Sequence, residues 1–279
     1  MRRLVLVAML ALALFSQQSA GAISLKINPP DYRITLKSGE KQKGVIDVGN
    51  PSGAAVKVAA SVQGFRQIDD QGNLEFYDDP KISEGVRLDL DNFELGPKET
   101  MRMYFLVDGT KLPEGDVYAA VFFTTIPSDR SVGVTQSVRL GNLLSIVNGK
   151  PGERKADITK LEVPFVQFGD QVTGTYAVKN TSDPNTKSGF YPDVKITMNP
   201  FETKQTNTSK LVFAGRERSN YFTINSSRFG FYKVRVEYNG GSREVWVLIL
   251  NPVGLIVFGL AVVASISYLV SKRKKTSKK

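Results

Sequence analysis

Two unbroken apolar runs stand near the ends of this chain, and between them apolar and polar positions alternate with a period of two. The segment 32–36, Tyr-Arg-Ile-Thr-Leu, alternates and stops at Ser38 and Gly39; 45–48 stops at Asn50, Pro51, Ser52 and Gly53. Further strands are expected over 55–65, 101–107 and 117–125, with a hairpin loop at 69–73. A cluster of turn residues at 148–153 interrupts the pattern, which then restarts at 156–163, 171–179, 194–198, 221–224, 231–238 and 244–250. Short β-rich runs with turn signals roughly every 8–12 residues predict β-sandwiches. No segment between the ends keeps a convincing helical period. The expected fold is all-β: one Ig-like β-sandwich over 23–149 and a second over 150–252.

The two ends differ in kind. Arg2 and Arg3 precede an apolar run from Leu4 to Phe15, and Ala20-Gly21-Ala22 places small residues at −3 and −1 of a cleavage site. That is the pattern of a secretory signal peptide over 1–22, cleaved after Ala22, with an uncleaved anchor as the alternative. The run is shorter than the roughly 20 residues that a membrane span needs. From Val253 through Val270, by contrast, no charge occurs, and Lys272, Arg273, Lys274, Lys275, Lys278 and Lys279 follow at once. A single segment in lipid must satisfy its backbone as a helix, and a lysine-rich flank holds its end in the cytoplasm. The pattern predicts a transmembrane helix over 253–270, a cytoplasmic tail over 271–279 and an N-terminus outside. Trp246 and Tyr268 lie near the two ends of the span, as interfacial rings do. The last strand runs into it through Asn251 and Pro252 alone, which holds the second sandwich close to the bilayer.

Net charge changes meaning once the ends are set aside. The chain is +10, but eight of its 37 basic residues lie in the two topogenic segments, leaving 29 against 27 acidic residues. The basicity orients a membrane protein and gives no reason to expect nucleic acid. Within the outer part, 23–149 holds 14 basic and 17 acidic residues, and 150–252 holds 15 and 10.

Missing residue types narrow the chemistry. There is no cysteine, hence no disulfide and no thiolate metal site. A cysteine-free exported region fits a bacterial surface protein better than a eukaryotic secreted one. There is no histidine either, which removes Ser-His-Asp and Cys-His catalysis and histidine zinc sites. Carboxylates remain, notably Asp78, Asp79, Asp89 and Asp91, but they sit beside turn residues, where acids are common. Asp69, Asp70, Asn73 and Asp78 form the nearest approach to a calcium-binding cluster. No phosphate-binding glycine loop is present, so the reading is of a non-enzymatic protein without cofactor or metal. Asn180, Asn207 and Asn225 head Asn-x-Ser/Thr triplets, which are polar turns in a bacterial host. Leu112-Pro113-Glu114-Gly115 resembles a sorting motif but lies far ahead of the span. The Ala261-x-x-x-Ser265 spacing is a feeble helix-pairing signal.

The halves repeat one another. Val48-Gly49-Asn50-Pro51-Ser52 matches Val178-Lys179-Asn180-Thr181-Ser182; Pro97-Lys98-Glu99 matches Gly215-Arg216-Glu217; Gly115 ahead of Tyr118 matches Gly230 ahead of Tyr232. The shared order points to a duplicated domain, with Tyr118 and Tyr232 as packing residues rather than a ligand site.

The arrangement of leader, two sandwiches, span and basic tail resembles the WxL-interacting surface proteins of Gram-positive bacteria. The local likeness lies in Leu95-Gly96-Pro97-Lys98-Glu99, in Leu112-Pro113 with Gly115 and Tyr118, and in Phe229-Gly230-Phe231-Tyr232 through Trp246. The resemblance implies a first domain that binds cell wall and a second that meets host or partner proteins. The first sandwich is also similar to the N-terminal Ig-like domain of periplasmic pilus chaperones, for which a membrane anchor is atypical. The expected function is a membrane-anchored cell-surface scaffold or adhesion protein binding cell-wall polymer or another exported protein; alternatively, a membrane-held, chaperone-like assembly factor for pili or secreted proteins. Its remaining partner is the lipid bilayer, met by 253–270.

Overall fold

The computed structural model describes residues 24–126, 137–186, 188–200, 203–225 and 229–276; at 253, 258, 261 and 269–276 it describes the backbone alone. Arg2, Arg3, Ala20, Ala22, Lys278 and Lys279 lie outside these residues, as do the side chains of Lys272, Arg273, Lys274 and Lys275. The chain divides into two compact units, Met1–Phe65 with Phe76–Lys150, and Arg66–Glu75 with Pro151–Lys279.

The first sandwich runs β1 (Lys26–Asn28), β2 (Asp31–Leu36), β3 (Lys41–Gly49), β4 (Val56–Gln67), β5 (Leu74–Tyr77), α1 (Pro80–Gly85), β6 (Val86–Leu88), β7 (Asn92–Leu95), β8 (Thr100–Asp108), β9 (Gly115–Ile126) and β10 (Arg139–Asn148). One sheet has the order β1-β3-β8-β6 and the other β2-β10-β9-β4-β5, with β7 also on β4. Alternation along each strand turns one set of side chains inward. Ile34, Leu36, Ile46, Val48, Met103, Phe105, Val121, Phe123, Leu144 and Ile146 form the buried core between the sheets.

The second sandwich runs β11 (Ala156–Glu162), β12 (Val166–Phe168), β13 (Gln171–Asn180), a 3-10 turn at Pro184–Thr186, β14 (Gly189–Phe190), β15 (Asp193–Asn199), β16 (Thr203–Thr208), β17 (Val212–Phe213), β18 (Glu217–Asn225), β19 (Gly230–Tyr238) and β20 (Gly241–Leu250). Its sheets are β11-β13-β18 and β12-β20-β19-β15-β16, with a small β14-β17 pair. Tyr176, Val178, Val194, Ile196, Met198, Phe222, Val234, Val247 and Ile249 fill its core. α2 (Pro252–Thr276) follows directly.

The same strand plan thus recurs. In each unit the opening strand is split: its first part pairs antiparallel in one sheet (β1 on β3, β11 on β13), and its second part crosses to lie parallel to the final strand (β2 on β10, β12 on β20). Prolines mark both crossings, Pro29 and Pro30 in the first and Pro164 in the second. Lacking an N–H, proline ends a ladder and frees the chain to change sheets.

The repeated Asn-x-Ser corner is the second shared device. Asn50 Oδ1 accepts from Ser52 N at 3.0 Å and Ser52 Oγ at 2.5 Å, while its Nδ2 donates to Ala54 O at 2.7 Å and Gly96 O at 2.9 Å. Asn180 Oδ1 accepts from Ser182 N at 2.9 Å, and its Nδ2 donates to Val212 O at 3.0 Å. Asn50 N bonds Glu99 O, and Asn180 N bonds Arg216 O. The true correspondence therefore pairs Glu99 with Arg216, and Lys98 (φ 60°) with Gly215 (φ 76°), one residue off the match drawn from the sequence. Backbone shape is kept there while residue type is not. Asn180 is fully buried, so it is a structural corner and not a glycan acceptor.

Cutting either asparagine to alanine strands buried carbonyls and amides, each costing about 1–3 kcal/mol. Asn50→Ala should lower the denaturant midpoint of the full chain more than Asn180→Ala does, because Asn50 holds more partners. Equal midpoints to the parent would contradict the assignment.

Asp108 closes the β3–β8 pair. Its nearly buried carboxylate meets Lys41 Nζ at 2.8 Å and accepts from Thr110 Oγ1 at 2.6 Å and Thr110 N at 3.1 Å. Lys41 first, and then Thr110, hold its pKa down at about 2. A carboxyl depressed below its ordinary 3.8 adds stability that is present above that value and fades as pH falls through about 2. In urea melts between pH 5 and pH 2, the gap between the parent and Asp108→Asn should shrink as the pH drops; a constant gap would refute the linkage.

Candidate strand-pairing edge

The crossing at Pro29 and Pro30 leaves a mark on β10. β9 pairs with this strand along its whole length, from Arg139 opposite Thr124 to Asn148 opposite Gly115. β2 covers only Leu143 to Asn148. Leu143 N donates to Pro30 O at 3.1 Å on that side. Alternation turns the N–H and C=O of Gly141 and Arg139 the same way, beyond the reach of β2. Val138 and Leu140 pack on the first core from this seam and are only partly buried. Among the described residues the result is a short sheet edge with apolar, half-covered side chains and outward backbone groups.

Local chemistry holds the edge in place. Gly141 stands opposite Phe122, and a Cβ there would come within 2.8 Å of that ring. Arg139 lies 3.7 Å over the Phe122 ring and donates to Gln63 Oε1 at 2.6 Å. Phe76 meets Phe122 edge-on at 4.8 Å, and Phe65 meets Tyr118 at 5.7 Å, so an aromatic layer backs the sheet on the face away from the core. Asn142 is fully buried; its Nδ2 donates to Pro29 O at 2.6 Å, and among the described residues its Oδ1 has no hydrogen-bond partner. The bond to Pro29 ties the final strand to the crossing that exposes its neighbour.

The equivalent edge in the second sandwich carries charge at its outer end, with Val245 and Trp246 nearer Leu248. β12 covers β20 only from Leu248 to Leu250, and Leu248 N donates to Phe165 O at 2.6 Å, as Leu143 does to Pro30. The uncovered part opens with Gly241, Ser242, Arg243 and Glu244. Arg243 Nε bonds Ile158 O, and Glu244 pairs with Lys233 and Arg235. Charges of this kind discourage strand addition.

The residues singled out from the sequence have structural work instead. Asp69 Oδ1 accepts from Gly72 N at 2.8 Å and Asn73 N at 2.9 Å, and Oδ2 from Asn73 Nδ2 at 2.6 Å. These bonds, the Asn73 side chain first, lower its pKa. Asp78 accepts from Gln63, Asp79 caps α1 through Lys81 N, Asp89 accepts from Tyr104 N, and Asp91 O accepts from Ala60 N. Among the described residues no group of three or more acidic side chains is placed to hold a metal ion. Tyr118 and Tyr232 are buried packing residues. Leu112 and Pro113 offer their carbonyls to Asn148 Nδ2 inside the first sandwich, which is no setting for a sorting signal.

The C-terminal helix starts on a built cap: Asn251 Oδ1 accepts from Gly254 N at 2.7 Å, and Pro252 takes the first turn. Ile256, Val257, Leu260, Val263 and Ile266 are more than half exposed. Taken over the described residues alone, no helix is long and apolar enough to cross a membrane.

The sequence pattern missed β10 altogether. Its centre, Gly141-Asn142, reads as a turn, whereas the glycine admits the Phe122 ring and the asparagine reaches back to Pro29. Only the alternation of Leu140, Leu144 and Ile146 could have revealed it.

No protein-family model matches the chain, and no curated protein matches it. Among solved structures it is similar to the class 5 fimbriae chaperone CfaA, at 10% identity and a TM-score of 0.43 over 81% of this chain and 100% of that one. It is similar to the CsuC–CsuE chaperone–tip adhesion subunit pre-assembly complex of archaic Csu pili from Acinetobacter baumannii, at 11% and 0.39 over 81% and 99%. The E. coli chaperone DraB gives 16% and 0.36 over 81% and 98%. Each of these neighbours is, or contains, a chaperone. At such scores they assign no activity, and the Ig-like fold rests on the strand order itself.

Gly141→Ala should press a methyl group into a Phe122 ring already held by Arg139 and Phe76, costing about 1–3 kcal/mol by overpacking. A thermal melt of the variant indistinguishable from the parent would show that the ring has room.

Proposed function

We propose that this protein is a non-enzymatic, membrane-held assembly factor that captures an extended segment of another exported protein by strand addition to β10. The supporting observation is the uncovered stretch of β10 ahead of Leu143. An added strand would gain main-chain hydrogen bonds from Arg139 and Gly141, and its alternate side chains would cover Val138 and Leu140. Such recognition needs a backbone and an apolar rhythm, and it suits partners of varied sequence. The charges of Arg243 and Glu244 at the outer end of the β20 edge favour the first sandwich as the capturing unit.

Export and anchoring complete the reading. The leader over 1–22 delivers the sandwiches outside, and α2 over 253–270 holds them to the cell membrane with the basic tail inside. The exposed apolar side chains of α2 support its contact with lipid. The scaffold reading uses the same edge but requires a long-lived complex. Its wall-polymer form, like the likeness to WxL-interacting proteins, rests on overall architecture, and no described feature of either sandwich adds to it.

A photoreactive side chain at Ser137 of the full chain, expressed in cells, should crosslink to exported protein. The same probe at Lys57, which β7 and β9 flank on both sides, should not. Arg139→Pro deletes one outward N–H, a loss worth about 0.5–1.5 kcal/mol, and should lower the Ser137 yield roughly 2- to 10-fold. Equal yields at Ser137 and Lys57 would sink the proposal.

A further inference from the structure

The second sandwich carries an apolar surface that its own fold does not use. On the outer face of the five-stranded sheet, Phe231 is 59% exposed, Trp246 56%, Phe168 73% and Phe165 58%, with Val166 and Phe229 beside them. The pairings make this one stripe. Phe231 and Val166 both stand opposite Leu248, Phe168 stands opposite Leu250, and Trp246 stands opposite Lys233. The Phe165 and Phe231 rings lie 6.4 Å apart. Exposed aromatic clusters of this kind mark interaction surfaces.

We infer that this face rests on the surface of the phospholipid bilayer, tilting the second sandwich onto the membrane; the inference depends on the anchoring of α2 proposed above. Three observations favour lipid over a protein partner. First, the stripe is continuous with the helix: Phe229 packs so closely on Gly254 that a Cβ there would come within 2.2 Å of its ring. Second, the cap at Asn251 and the bond from Leu255 N to Asn251 O leave no slack between β20 and α2, so Phe168 is held one ladder step from the helix start. Third, the side chains are those of a membrane interface, aromatic rings with a lysine beside them: Lys233 Nζ stands 5.3 Å from the Trp246 ring. The 15 basic against 10 acidic residues of 150–252 suit an anionic surface.

Geometry sets the tilt. Trp246 precedes Pro252 by six residues, roughly 20 Å along a strand at about 3.4 Å per residue. The headgroup layer of one leaflet is only about 5–8 Å deep. A strand standing upright would leave Trp246 in water, so the whole stripe reaches lipid only if β20 lies obliquely on the membrane. Lipid contact along the stripe and the tight junction with α2 thereby set one orientation for the second sandwich.

Trp246 is the only tryptophan in the chain, so its fluorescence reports this site alone. The full chain would be reconstituted into phosphatidylcholine–phosphatidylglycerol vesicles. The expected result is blue-shifted emission, quenched more by spin labels near the lipid headgroup than by labels at the chain ends, and shielded from aqueous iodide. The double variant Phe168→Ser, Phe231→Ser should lose the blue shift and admit iodide while resisting carbonate extraction as the parent does. If the parent resists extraction but iodide quenches Trp246 as fully as free tryptophan, the face stands off the membrane and this inference alone fails. If carbonate strips the chain from the vesicles, the anchoring reading fails and takes this one with it. Shielding that grows with protein density in the vesicle would assign the face to a second copy of the chain and overturn the lipid contact.

Discussion

The structure turns on the crossing of the first strand from one sheet to the other. In each sandwich a proline stops the opening strand on one sheet and releases its remainder to lie parallel to the last strand on the other. The second part is short, six residues in β2 and three in β12, so it covers the last strand only in part. An uncovered sheet edge follows from chain length and the missing N–H of proline, without any special side chain. What differs is the treatment of that edge. β20 carries Arg243 and Glu244 in a network of charge, whereas β10 presents Val138 and Leu140 over a half-open core. Natural sheets blunt edges that serve no purpose, and an edge left apolar calls for a function.

The remaining devices serve to keep that edge rigid. Without disulfides, each sandwich relies on its apolar core and on corners such as Asn50 with Ser52 and Asn180 with Ser182, which satisfy buried backbone groups where strands end. In the first sandwich the Phe122 layer supports β10 from one face while Leu144 and Ile146 hold it from the other. Asn142 joins it to the crossing. A partner strand would therefore meet a preformed template and spare the entropy of ordering it.

Much of the fold was legible because alternation with a period of two is a strong signal wherever one face is buried. The strands at 32–36, 101–107 and 117–125 lie inside β2, β8 and β9, and the turn at 69–73 joins β4 to β5. The short strands β1, β6, β7, β12, β14 and β17 were not, since two to four residues carry no period. α1 escaped for a similar reason, being a turn and a half of helix after Asp79. The candidate site was the least legible part. Gly141 and Asn142 carry turn chemistry in sequence and tertiary roles in the fold, and an unpaired edge is a relation between strands that no single segment records. The repeat was visible in order but not in register, because Lys98 and Gly215 share a left-handed backbone rather than a residue type.

The central claim is that, among the described residues, β10 is hydrogen-bonded on one side only ahead of Leu143. Amide hydrogen exchange followed by NMR on the full chain in micelles measures this directly. The amides of Arg139 and Gly141 should exchange far faster than that of Leu143, and an added strand should slow them. Protection at Arg139 and Gly141 equal to that of Leu143 in the free protein would mean that the edge is already filled.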